Sequence, residues 1–179
     1  MKTFLPRLIG GLVLILVILG IGLFVVRARD FHNRDRFRLA FENASASNRR
    51  AVFEESFEKL GADKIIKILE KEYPLCHDQV HDLGKVVFAE TKDLAESIQI
   101  CRDGCTGGCF HGVLMEAFRD DQKQVTDDLE QKNRDGHVWL DGVKEKAAEL
   151  CDNDQVLAFH KKGKCIHGVG HAFSYISGY

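Results

Sequence analysis

Two stretches of this chain, 56 residues apart, carry the same uncommon pattern. Gly107-Gly108-Cys109-Phe110-His111-Gly112-Val113 and Gly163-Lys164-Cys165-Ile166-His167-Gly168-Val169 agree at five of seven positions: Gly, Cys, His, Gly and Val. Cysteine and histidine are uncommon residues, so we read this as an internal repeat of one structural unit. A looser copy, Cys76-His77-Asp78-Gln79-Val80-His81-Asp82-Leu83-Gly84, precedes both. The unit reads as a cysteine-pinned loop followed by a histidine in the first turn of a helix. Its glycine permits close backbone approach. With His171, two residues past the second stretch, the copies hold five of the eight histidines and three of the six cysteines.

The cysteines are Cys76, Cys101, Cys105, Cys109, Cys151 and Cys165. No two are separated by only two residues, which removes thioredoxin-type redox pairs, c-type haem attachment and most zinc ribbons. Three clustered in a Gly-rich loop and three at predicted helix ends suit disulfides in an oxidising compartment. Fifteen pairings are open to six cysteines. The repeat suggests that Cys109 and Cys165 each bridge to the end of the preceding helix. That gives Cys101–Cys109 and Cys151–Cys165, and leaves Cys76–Cys105. The competing reading is reduced cysteines holding a metal in the cytoplasm.

Leu8 to Val26 is a run of 19 residues without a charge. At ~1.5 Å per residue it is ~28 Å long, enough to cross a bilayer. It has no A-x-A cleavage pattern and no cysteine for lipid attachment, so a retained single-span anchor is expected rather than a cleaved signal peptide. A buried core helix is disfavoured because nothing on the segment is polar. Arg27, Arg29, Arg34, Arg36 and Arg38 follow the span, against Lys2 and Arg7 before it. By charge alone the C-terminal domain would be cytoplasmic. The cysteines argue for the extracytoplasmic side and are given more weight.

The expected divisions are residues 1–7 as a flank, 8–26 as the membrane anchor, 27–48 as a charged juxtamembrane helical stalk, and 49–179 as a Cys/His-rich domain. The stalk's basic residues would face head groups or solvent, and its end at Ser45–Asn48 would cap the next helix. Val52, Phe53, Phe57 and Leu60 recur at helical spacing before Gly61. Ile65, Ile66, Ile68, Leu69 and Tyr73 do so before Pro74. Further helices are expected over Cys76–Ala89, Leu94–Ile100, His111–Phe118, Val125–Asn133, Val138–Leu150, Val156–Phe159 and Ile166–Ser177. Irregular chain is expected over Cys101–Phe110 and His160–Lys164. No segment alternates apolar and polar residues, so the fold class is all-α. With 25 basic against 27 acidic residues there is no broad cationic face, and nucleic acid is excluded as a partner.

His77 and His81 are four residues apart, as are His167 and His171. On a helix such pairs share a face and can converge on one ion. In the second copy Met115 takes the place of the second histidine, with Glu116 beside it. The candidate metal ligands are therefore His77, His81, His111, His167 and His171. Asp78 or Asp82 would orient a ring. Imidazole-rich sites suit Zn, Cu, Ni or Fe, and a haem between two histidines is a further option. His32, His137 and His160 fall outside the pattern and are read as structural or solvent-facing.

The function expected is that of a membrane-anchored extracytoplasmic helical domain binding a metal ion or metal cofactor. One alternative is a structural or interaction module contacting a membrane protein, its histidines and disulfides serving only the fold. Another is a metal-dependent hydrolase or oxidoreductase, with Glu116 as the acid/base candidate. A Cys109–His111 nucleophilic pair is disfavoured, since a disulfide would abolish the thiolate. A pH-sensing histidine cluster is conceivable, but nothing in the sequence selects it. The chain has no P-loop, dinucleotide fingerprint, HExxH or G-x-S-x-G motif.

Overall fold

A computed structural model describes residues 4–101, 103–119, 137–158 and 162–174. Among the described residues the regular elements are all helices. In chain order they are α1 (Phe4–Glu42), α2 (Arg49–Leu60), α3 (Ala62–Glu72), α4 (His81–Thr91), α5 (Leu94–Cys101), α6 (Gly108–Ala117), α7 (His137–Cys151), α8 (Asp154–Leu157) and α9 (Lys162–Ser174). Short 3-10 turns cover Ala46–Asn48 and Gly104–Gly107. The expected helix at Val125–Asn133 lies outside the described residues.

α1 contains the apolar run and does not break where that run ends. It is the one described helix long and apolar enough to cross a membrane, and its large apolar side chains from Leu12 to Val26 are exposed. The stalk differs from expectation: it is docked rather than free-standing. Phe37 and Phe41 are buried and meet Phe53 of α2 and Tyr73 beyond α3, with ring centroids 5.2–6.1 Å apart. Arg36 pairs with Glu55 at 2.6 Å, Arg38 with Glu72 at 2.8 Å, and Asp30 with Lys64. Arg34 meets Asp30 at 2.9 Å within α1, so three arginines following the apolar run have carboxylate partners. The sequence hides this docking because the stalk's charges outnumber its two inward phenylalanines.

Gly61 ends α2 and opens α3 at φ 74, a left-handed backbone that suits glycine. α3 buries Ala62, Ile65, Ile66, Ile68 and Leu69, the face its spacing implies. Pro74 stops it. The expected helix from Cys76 does not start there. Residues 74–80 form successive turns, and α4 begins at His81. Bonds from Val80 N–H to the Cys76 carbonyl and from Gly84 N–H to the Val80 carbonyl make those turns helix-like.

The expected irregular loop is shorter than read. Its Gly107-Gly108 pair starts α6, three residues before His111. Cys105, Thr106 and Gly107 all have left-handed φ (49, 56 and 86). Such a conformation is costly for the first two, and persists only where the surroundings enforce it. Glu70 does so by accepting the Cys105 backbone N–H at 2.9 Å. α9 likewise starts earlier than expected, at Lys162 rather than Ile166.

Three disulfides, Cys76–Cys105, Cys101–Cys109 and Cys151–Cys165, are the pairs the repeat suggests. They join the turns before α4 to the 3-10 turn, α5 to α6, and α7 to α9. The tightest contact lies between α4 and α6. A Cβ on Gly84 would overlap the Cys109 carbonyl oxygen and sit 2.7 Å from Val113 N. A Cβ on Gly112 would overlap the His81 carbonyl and sit 2.9 Å from His81 Cα. Gly108 meets the His77 carbonyl in the same way. Backbone lies against backbone, and no side chain can yield. Gly112→Ala is therefore expected to destabilise the domain by ~3 kcal/mol or more. Gly170→Ala, on α9 with open space around it, is expected to be neutral or stabilising by up to ~1 kcal/mol. Denaturant midpoints of the two variants check the contrast; equal effects would contradict the packing described.

Candidate metal centre

His77 comes from the turns after α3, His81 opens α4, His111 lies in the first turn of α6, and His167 and His171 stand one turn apart on α9. Imidazole is a short side chain, so rings from different segments meet only where the backbones are close. The glycine contacts supply that closeness for α4 and α6. α9 approaches through side chains instead: the Cβ position of Gly168 lies 2.7 Å from Leu114 Cδ1 and 3.0 Å from His111 Cδ2.

All six pairs among His77, His81, His111 and His171 have ring centroids within 6.1 Å. The closest, His111–His171 at 4.7 Å, is stacked. His167 joins from the exposed side, 5.4 Å from His111 and 4.7 Å from His171. The five histidines of the repeated units thus form one cluster. Two groups within it have ligand atoms all within 4.8 Å of one another: His77, His111 and His171, and His77, Asp78 and His81.

His77 sits in a defined hydrogen-bond frame. Its Nδ1 lies 3.2 Å from the Cys105 carbonyl and 3.1 Å from the Thr106 hydroxyl. The Thr106 hydroxyl itself donates to the Cys105 carbonyl at 2.7 Å. A carbonyl only accepts, so Nδ1 carries the hydrogen and Nε2 is the ring's acceptor. That Nε2 faces His111 Nδ1 at 3.3 Å. Two nitrogens bound ~2.05 Å from one tetrahedral ion stand ~3.3 Å apart.

Burial favours neutral rings. It lowers His81 to about 4, helped by neighbouring His77, and His111 to about 3, helped by His171. His171 is lowered for the same reason, with His167 adding to it. At neutral pH these rings offer lone pairs, as metal ligation requires.

Glu116 stands apart from this cluster. Its carboxylate is shielded and meets Arg50 at 3.4 Å and Arg119 at 2.7 Å. Asp82 pairs with Lys85 at 3.0 Å. Of the two aspartates, Asp78 is the one beside the rings, and it is exposed. His32 is exposed on α1; the His137 side chain and all of His160 lie outside what is described. Sequence reasoning missed the Cys105 carbonyl, Thr106 and Glu70. Their signal was a threonine between paired cysteines, visible only once Cys76–Cys105 brings that loop to His77. No protein-family model, curated protein or solved structure matches the chain.

The burial of His81 and His111 sets a pH dependence for the metal-free domain. Unfolded, both bind a proton near 6.5; folded, they do so only near 4 and 3. Between these values the unfolded chain holds more protons, so stability rises with pH at ~1.4 kcal/mol per unit for each proton. In chelator, unfolding free energy is expected to drop by ~2 kcal/mol from pH 6 to pH 5, before most carboxylates titrate. A flat profile over that unit would contradict neutral buried rings.

Proposed function

We propose that this chain is a membrane-anchored, extracytoplasmic helical domain that binds one transition-metal ion through its histidine cluster. The observation that carries the reading is the mutual approach of four imidazoles drawn from three separate segments. The closest nitrogens, His77 Nε2 and His111 Nδ1, share a hydrogen bond at 3.3 Å, and a cation can take the place of the proton between them. His77, His111 and His171 are the proposed primary ligands. His81 is the fourth, and His167 lies at the exposed side.

One ion is favoured over two. The two ligand groups share His77, whose Nδ1 is bonded to the Cys105 carbonyl and whose Nε2 alone is left to coordinate. A bare ion is favoured over haem, because the His81 carbonyl lies against Gly112 with no slot for a macrocycle between them. Nitrogen-only ligation suits Zn, Cu, Ni or Fe. Disulfides at all six cysteines support the extracytoplasmic side. Arg36 and Arg38, two of the arginines after the apolar run that argue otherwise, have a structural use in docking α1.

A structural module is the second reading, and the His77–Cys105 bond is the feature that favours it. An enzyme would need an acid/base, and Glu116 is engaged by arginines instead.

Elemental analysis of the purified chain tests the metal reading. Wild type is expected to carry about one ion per chain, and His167→Ala plus His171→Ala less than about one tenth of that. Both substitutions lie on the more exposed helix, and circular dichroism confirms folding. Equal, negligible metal in both would leave the structural module as the surviving reading.

A further inference from the structure

Where α1 emerges from its apolar run, a groove of about 580 Å³ opens between it and the α2–α3 corner. Ligand pockets commonly span ~300–1,000 Å³. Val26, the last residue of the apolar run, forms one edge. Arg27, Arg29, Asp30, Glu58, Lys59 and Lys64 provide the charged lining. Four cationic groups face two carboxylates there. Asp30 is already met by both Arg34 and Lys64. Among the described residues no ion pair reaches Arg27 or Arg29.

The depth of this groove follows from the continuity of α1. Asp30 is four residues past Val26, ~6 Å along the helix. The head-group layer on each side of a bilayer's hydrocarbon core is ~5–8 Å thick. Lys64 contacts Asp30 directly, so the start of α3 lies at the same level. Phe31, 67% exposed on α1, offers an apolar surface at that level.

We propose that this groove is a binding site for the head group of an anionic phospholipid. The phosphate would lie against Arg27 and Arg29, with its acyl chains following the apolar face of α1 below Val26. Through Lys64 and the Phe37–Phe41–Phe53 cluster, the lipid would steady the domain's attitude on the membrane. The proposal rests on the membrane-anchored reading and is independent of the metal.

The test uses the full chain, wild type and Arg27→Gln plus Arg29→Gln, in nonionic micelles. Each is offered phosphatidylglycerol or phosphatidylcholine, with and without millimolar inorganic phosphate, and retained lipid is counted by native mass spectrometry. Wild type is expected to retain phosphatidylglycerol preferentially. The variant is expected to lose roughly thirtyfold of that preference, about fivefold per charge squared over two charges. Inorganic phosphate should not displace the lipid. Equal retention of the two lipids, an unchanged variant, or displacement by inorganic phosphate would each overturn the proposal. Alkaline extraction of the membranes separates the two ideas. A chain that washes out refutes the anchor and this site together, whereas a retained chain without lipid preference refutes the site alone.

Discussion

The contact of α4 and α6, backbone against backbone, is the constraint on which this structure depends. Gly84, Gly108 and Gly112 each lie where any Cβ would strike a main-chain atom of the facing segment. Imidazole reaches only a few ångströms from its Cα, so ring convergence requires helices closer than ordinary side-chain packing allows. Interhelical distances of ~8–10 Å are usual where side chains intervene. Of the glycines that follow histidine in the repeated units, Gly112, beside His111, lies at such an approach, against His81, while Gly168, beside His167, packs against side chains of α6, the His111 ring among them.

The disulfides act on the same segments. Cys76 adjoins His77, Cys109 precedes His111 by two residues, and Cys165 precedes His167 by two. The Cys76–Cys105 bridge closes a loop of 29 residues and brings the acceptor of His77 Nδ1 into place. A bridge of this span contributes ~3.6 kcal/mol by restricting the unfolded chain. It helps hold the left-handed Cys105–Thr106 backbone, which local preference alone would not populate. Burying neutral histidines opposes folding as the solution acidifies, so the bridges and the glycine contacts offset a cost that the site itself imposes.

Much of this was legible in the sequence. The apolar run, the amphipathic faces of α2 and α3, and the absence of strand periodicity gave the helical class. The position of cysteine before each repeated histidine gave the pairing. Helix starts were less legible. Helical spacing suggested that His77 and His81 share a helix, but Pro74 and the Cys76 bridge hold His77 in turns one step outside it. The Gly107-Gly108 pair read as a loop, yet a left-handed Gly107 followed by a tightly packed Gly108 begins α6. The stalk's docking through Phe37 and Phe41 and the capture of Glu116 by Arg50 both depend on partners distant along the chain. Periodicity within one segment carries no information about such partners.

The central claim is that the gathered imidazoles are ligands rather than core residues. X-ray absorption at the metal edge of the zinc-loaded chain examines this most directly. The account predicts three or four imidazole nitrogens at ~2.0 Å, with the outer-shell scattering of histidine rings. A first shell of water or carboxylate oxygens with one imidazole or none would contradict it.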